Sequence, residues 1–144
     1  MSQISRSALV PFSAGQMFRL VNDVGAYPQF LPGCTGSRVL EVAQHQMTAA
    51  VDVSKAGISK TFVTRNTLTE NQRIQMQLVD GPFRKLSGGW VFTPLSDTAC
   101  KVELTLDFEF TNMLVAMAFG RIFKELANSM VQAFIQRAKE VYRA

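Results

Sequence analysis

The sequence predicts an α+β fold, a curved antiparallel sheet of about six to seven strands wrapped on one long C-terminal helix, from three features. Residues 100–110 alternate without a fault. Cys100, Val102, Leu104, Leu106, Phe108 and Phe110 share one face, and Lys101, Glu103, Thr105, Asp107 and Glu109 share the other. Such alternation belongs to an antiparallel strand with one buried face. After Asn112 the period lengthens to that of a helix, with Val115, Phe119, Ile122, Phe123, Leu126, Met130, Val131, Phe134, Ala138 and Val141 in one stripe. A helix of that length runs about 45 Å, and its stripe needs a sheet to lie on. Between residues 39 and 99 there are only strand-like segments joined by short turns, so consecutive strands pair as hairpins.

In chain order, residues 3–10 alternate loosely as a first strand, which Pro11 ends. Ser13 and Gln16 then form an S-x-x-Q capping box, with Phe12 and Met17 placed as a hydrophobic staple. Met17, Leu20, Val21 and Val24 recur at helical spacing, so a short helix spans 14–23 and stops at Gly25. The stretch YPQFLPGC, residues 27–34, follows as a stiff apolar connection. Its prolines fix their own backbone and restrict the residues before them. That stiffness suits a rim presenting Tyr27, Phe30 and Leu31 inward; the alternative is a plug for the end of the core.

Val39 and Leu40 open a strand to about Val42, and Ala43-Gln44-His45-Gln46 turns it. Residues 47–54 alternate, Ala56-Gly57 turns again, and ISKTFVTRNTL is rich in β-branched residues. Ile74, Met76 and Leu78 mark the next strand, Asp80-Gly81-Pro82 breaks it, and a strand from Lys85 to Thr93 carries Leu86, Trp90 and Phe92. Successive antiparallel strands curl, and only the C-terminal helix is available to cover the concave face. The architecture is a helix grip, in one domain covering residues 1–144.

Composition narrows the function. The chain has 144 residues, 47% hydrophobic and 18% charged, with a net charge of +4. No apolar run approaches membrane-spanning length and the first residues lack a signal-peptide pattern. The expected location is the cytoplasm, with peripheral contact at the inner membrane left open. A pI near 9.4 permits an anionic partner. Cys34 and Cys100 are far apart and read as core residues.

Catalytic patterns are lacking. His45 is the single histidine and lies in a polar turn, and no zinc, nucleotide-binding or serine-hydrolase motif occurs. Gly88-Gly89 reads as strand punctuation. Glu103, Asp107 and Glu109 lie on the polar face. Asp52 is the one carboxylate that a single-residue register error would turn inward, and an unchanged phenotype in Asp52→Asn would count against catalysis there. The expectation is therefore no enzyme, no metal and no cofactor. Seven methionines and eleven phenylalanines instead supply soft apolar walls for a hydrophobic guest.

The segments VNDVGAYPQFLPGC (21–34), AAVDVSKAGISKTFVTRN (49–66), LVDGPFRKLSGGWVFTPL (78–95), LDFEFTN (106–112) and FGRIFKELANSMVQAFIQRAKEVY (119–142) together resemble the Coq10/polyketide-cyclase branch of the START-like superfamily. The resemblance spans essentially the whole chain and implies the helix-grip fold already read. It implies two activities. Coq10 members are non-enzymatic binders of ubiquinone that support respiration; toxin members bind the large (50S) ribosomal subunit, block its joining to the small one and so inhibit translation. Quinone or lipid binding is taken as the leading expectation and ribosome binding as the alternative.

For the ligand, the expected cavity and rim residues are Tyr27, Phe30, Leu31, Phe83, Leu86, Trp90, Phe108, Phe119, Phe123, Leu126 and Met130. Burying a polyprenyl chain contributes about 0.8 kcal/mol per CH₂. For RNA phosphates, the candidates are Lys55, Lys60 and Arg65 around the Ala56-Gly57 turn, and Arg84-Lys85 in a later loop. Arg121, Lys124, Arg137, Lys139 and Arg143 add charge along the helix. An antitoxin partner has no motif here to identify it.

Overall fold

Strand alternation and hairpin turns build one sheet. In the computed structural model, which describes residues 2–142, seven antiparallel strands lie in the order β1-β7-β6-β5-β4-β3-β2. They are β1 (Ser2–Val10), β2 (Cys34–Ala43), β3 (Gln46–Lys55), β4 (Ile58–Thr69), β5 (Arg73–Asp80), β6 (Phe83–Ser96) and β7 (Ala99–Phe110). Helix α1 (Ala14–Asn22) and a 3-10 helix (Val24–Gln29) separate β1 from β2, and α2 (Met113–Tyr142) closes the chain. Arg143, counted among the helix cations, lies outside the described residues.

The first strand crosses the whole sequence to pair with the last, Ile4 opposite Leu106 and Val10 opposite Cys100. The other strands form a meander with tight turns. Ala56 and Gly57 both take positive φ, 53° and 82°, the conformation that matches hairpin twist.

The capping box forms as read: Ser13 Oγ accepts from the Gln16 N–H at 3.1 Å, and Gln16 Oε1 accepts from the Ser13 N–H at 2.9 Å. Phe12 lies against Tyr142, with centroids 6.0 Å apart. Asn112 caps α2, its Oδ1 accepting from the Val115 N–H at 2.9 Å. The helix stripe holds as far as Ala138, but Val141 is exposed. Tyr142 takes the seam in its place, donating its hydroxyl to the Gln16 carbonyl at 2.9 Å.

Two strands are longer than their sequence pattern suggests. β2 starts at Cys34 rather than Val39, because register shifts between Cys34 and Gly36 and between Val39 and Glu41 break its alternation. β6 extends from Phe83 to Ser96, past the expected Lys85–Thr93.

Gly88 and Gly89 do more than punctuate β6. A Cβ on Gly88 would lie 2.0 Å from the Thr105 carbonyl oxygen, and one on Gly89 2.0 Å from that of Ile74. Both neighbouring strands close in on bare backbone there. β5 pairs with β6 only from Arg73–Gln77 to Val91–Ser87, so the two strands diverge toward Gly81-Pro82. The sheet opens beside the start of α2, and phenyl rings fill the opening.

Candidate functional site

The concave face of the sheet and α2 enclose a small cavity of about 60 Å³. Six of the expected residues line it: Tyr27, Leu86, Trp90, Phe123, Leu126 and Met130. The sequence reading missed Val51, Phe62, Met76 and Leu106 in the same wall, and also two polar residues, Thr64 and Asn66.

That pair is the main chemical feature of the cavity. Thr64 and Asn66 are the buried polar side chains among the described residues, and both face α2 from β4. Thr64 Oγ1 donates to Asn66 Oδ1 at 2.9 Å, which leaves the Asn66 amide NH₂ as the remaining donor. An isolated donor in an apolar wall orients a guest carrying one acceptor. A signal was present in the sequence: Phe62, Thr64, Asn66 and Leu68 share a face, and two polar residues interrupt it.

Aromatic clusters stand at both ends of the cavity. Toward α1, Phe134 packs edge-to-face on Tyr27 (5.3 Å), Phe30 (5.1 Å) and Trp90 (5.3 Å). Tyr27 donates its hydroxyl to the Val21 carbonyl. Burial, then the nearby Cys34 and Asp23, raise its pKa far above the ordinary phenol value. Arg137 sits over the Phe30 ring at 5.1 Å and donates to Gln29 Oε1 at 2.8 Å. Tyr27 is thus part of the cavity wall. Phe30 and Leu31 stand behind it, outside the lining, and close the end of the core.

Toward the start of α2, Phe83 meets Phe123 at 4.8 Å, Phe110 at 5.2 Å and Phe62 at 6.0 Å. Phe108 and Phe119 complete the cluster. Phe83 is buried at the start of β6, which also takes Arg84 and Lys85 into the strand rather than a loop, and Phe83, Phe108 and Phe119 seal the cavity without lining it.

Asp52 points away from the cavity. Its Oδ1 accepts from the Thr61 hydroxyl at 2.6 Å and its Oδ2 pairs with Arg38 at 3.0 Å. The Thr61 bond first, then Arg38, lowers its pKa. Gly36 leaves the space for it, since a Cβ there would lie 2.5 Å from Oδ2. Among the described residues no group of three or more His, Cys, Asp or Glu side chains is placed to hold a metal ion.

The expected cations do not form one patch. Lys55 pairs with Glu125 of α2 at 2.7 Å, and Lys60 stands opposite Val53 near the same hairpin. Arg84 pairs with Glu109 at 3.5 Å beside the start of α2. Arg65 and Lys85 lie on the convex face, opposite Gln77 and Glu109 respectively. Arg73, which sequence reasoning passed over, joins them there. It borders an open polar groove of about 470 Å³ above Gly88-Gly89, walled by Thr67, Gln75, Gln77 and Thr105.

A seven-stranded sheet gripping one long helix around a small apolar cavity defines the helix-grip class of domains. The chain belongs to the polyketide cyclase / dehydrase and lipid transport family, whose model matches residues 10–135. It is 74% identical over 144 residues to the ribosome association toxin RatA of Escherichia coli, covering 100% of this chain and 91% of that protein. It is also 30% identical to the mitochondrial coenzyme Q-binding protein COQ10 homolog B of Xenopus laevis, over 97% of this chain and 59% of that one. Among solved structures, the Zhui aromatase/cyclase from a Streptomyces species superposes with a TM-score of 0.87 at 18% identity, covering 99% and 96% of the two chains. The 18 kDa protein CC1736 from Caulobacter crescentus does so with a TM-score of 0.75 at 30% identity, covering 100% of both.

Proposed function

We propose that this protein binds the large ribosomal subunit and blocks its association with the small subunit, inhibiting translation by occupancy and not by catalysis. The observation that carries this reading is the 74% identity, over the full length of this chain, to a protein named ribosome association toxin RatA. It reverses the order expected from the sequence, where quinone binding led. The convex face supplies a suitable surface. Arg73 borders the polar groove at Gly88-Gly89 and Arg65 stands opposite its Gln77, so that cations can meet RNA phosphates and the amides of Gln75 and Gln77 can meet sugar or base edges. Phosphate contacts make binding fall steeply with salt.

Co-sedimentation with purified large subunits at two salt concentrations tests this. Arg65→Glu/Arg73→Glu should pellet much less and show a shallower salt dependence, by about one log–log unit per lost contact. Subunit joining that proceeds normally with excess native protein would sink the proposal.

A second reading rests on the Thr64–Asn66 pair. We infer that the cavity takes an apolar guest with a carbonyl or similar acceptor, a polyprenyl quinone such as ubiquinone being the leading candidate. Asn66 would donate to the carbonyl and the tail would run along the methionine and phenylalanine walls. A pocket for a whole organic ligand occupies roughly 300–1,000 Å³, so the 60 Å³ cavity must widen. Met76 and Met130 are suited to that, being unbranched and polarizable. Solvent extraction and mass spectrometry of the natively purified protein should yield a quinone that Asn66→Leu loses. Equal retention by the variant would remove Asn66 from the site.

A further inference from the structure

The first two turns of α2 carry large apolar side chains on their outward side. Met113, Leu114 and Met117 are 75, 77 and 75% exposed, whereas Val115 and Phe119 of the same turns pack on the core. At about 3.6 residues per turn, those three fall within an arc of about 100°, and Arg121 and Lys124 continue that arc further along. Single exposed apolar residues are ordinary, but a contiguous group marks a contact surface.

Its charge setting is one-sided. No acidic residue occurs between Thr111 and Lys124, and the first turn has none to offset the positive end of the helix. Arg84 reaches the same end, donating to the Thr111 carbonyl at 3.3 Å. The nearest acids are already engaged, Glu109 by Arg84, and Glu125 by Lys55 at 2.7 Å and Arg121 at 3.7 Å. Arg121 is 89% exposed.

We propose that this end of α2 docks on an anionic phospholipid surface. Met113, Leu114 and Met117 enter the boundary between headgroups and acyl chains, and Arg84, Arg121 and Lys124 meet the phosphates. The spacing fits. With the helix entering end-on, Met113 and Met117 differ in depth by about 6 Å. Arg121 follows about 6 Å behind Met117, at headgroup level. Among the described residues no helix is long and apolar enough to span a bilayer, and the contact proposed is a peripheral one. A tip of flexible apolar side chains backed by cations suits a fluid anionic surface. RNA would leave the apolar trio unused. The proposal goes beyond both readings of function, and it puts a lipid contact on the helix that also carries Phe123 of the cavity wall.

Flotation with vesicles tests it, using phosphatidylcholine alone or mixed with phosphatidylglycerol, at low and high salt. The native chain should float with the mixed vesicles, weakly at high salt, and not with phosphatidylcholine alone. Leu114→Asp/Met117→Asp should cut the bound fraction by roughly tenfold or more. As a check independent of any disruptive change, Met113→Trp should give a blue-shifted emission on mixed vesicles, against the constant signal of the buried Trp90. No flotation, equal flotation of the aspartate variant, or an unshifted emission overturns the proposal. So does a native dimer that the aspartate variant converts to monomer, or loss of ribosome pelleting by that variant with no vesicle binding in the native chain.

Discussion

The two ends of the cavity are both aromatic, yet they are built on different principles. Around Phe134, rings are tied to polar anchors: the Tyr27 hydroxyl bonds the Val21 carbonyl, and Arg137 lies over Phe30 while holding Gln29. Around Phe83, six phenyl rings meet mostly edge-to-face, and a phenyl ring offers no hydrogen bond. The first end must hold an irregular segment, the 3-10 helix Val24–Gln29, whose path regular pairing does not dictate. The second fills the opening where β5 and β6 part. Directional bonds specify one arrangement, whereas packed rings of similar shape tolerate rearrangement. A cavity that must widen is therefore expected to yield at the phenyl end.

The largest effect should come from truncating one ring at each end. Phe134→Ala and Phe123→Ala should each cost about 3–5 kcal/mol in urea unfolding. They should part in their effect on the cavity. Phe123 lines it, so its loss should enlarge the space and increase uptake of a small apolar probe; Phe134 lies outside the lining. Equal uptake by the two variants would erase the distinction between the ends.

A milder pair sharpens it. Tyr27→Phe keeps the ring but leaves the Val21 carbonyl without its donor, at about 1–3 kcal/mol. Phe119→Leu removes no hydrogen bond and should cost less than about 1.5 kcal/mol after repacking. The reverse ranking by denaturant midpoint would mean that packing, and not the anchor, fixes the α1 end.

The smallest effect is expected on the convex face. Asp52→Asn should cost about 0.2–1 kcal/mol, the range for a largely exposed pair. The carboxyl's pKa is lowered in the folded state, so its contribution is present above the ordinary aspartate value near 3.9 and fades as pH falls below it. The difference between native and variant stability should therefore shrink on acidification through that range. A difference that persists in acid would assign it to packing against Gly36.

The same contrast explains what could be read from the sequence. β7 was legible because its buried and exposed residues alternate without interruption, and α1 because Ser13 and Gln16 form a local motif. β2 was not, since its bulges displace alternation and its course is set by β3, which local sequence does not reveal. Among site residues, Trp90, Phe123 and Met130 followed from periodicity alone. Thr64 and Asn66 were passed over because β-branched and polar residues in ISKTFVTRNTL look like an exposed face until pairing shows which way they point. Likewise only the sheet pairing sets Arg65 opposite Gln77, in the wall of the groove that Arg73 borders.

The pairing of β1 with β7 carries a consequence for how the molecule is made. Gln3 bonds Asp107 across 104 positions, and no neighbour nearer in sequence offers β1 an edge. During synthesis the first strand must wait, unpaired, until nearly the whole chain has emerged. The concave face waits longer still, because α2 follows β7 in the chain. Loop closure over such a span is slow, and exposed apolar strands invite aggregation meanwhile. A chain stopped before α2 would have a sheet with nothing to grip.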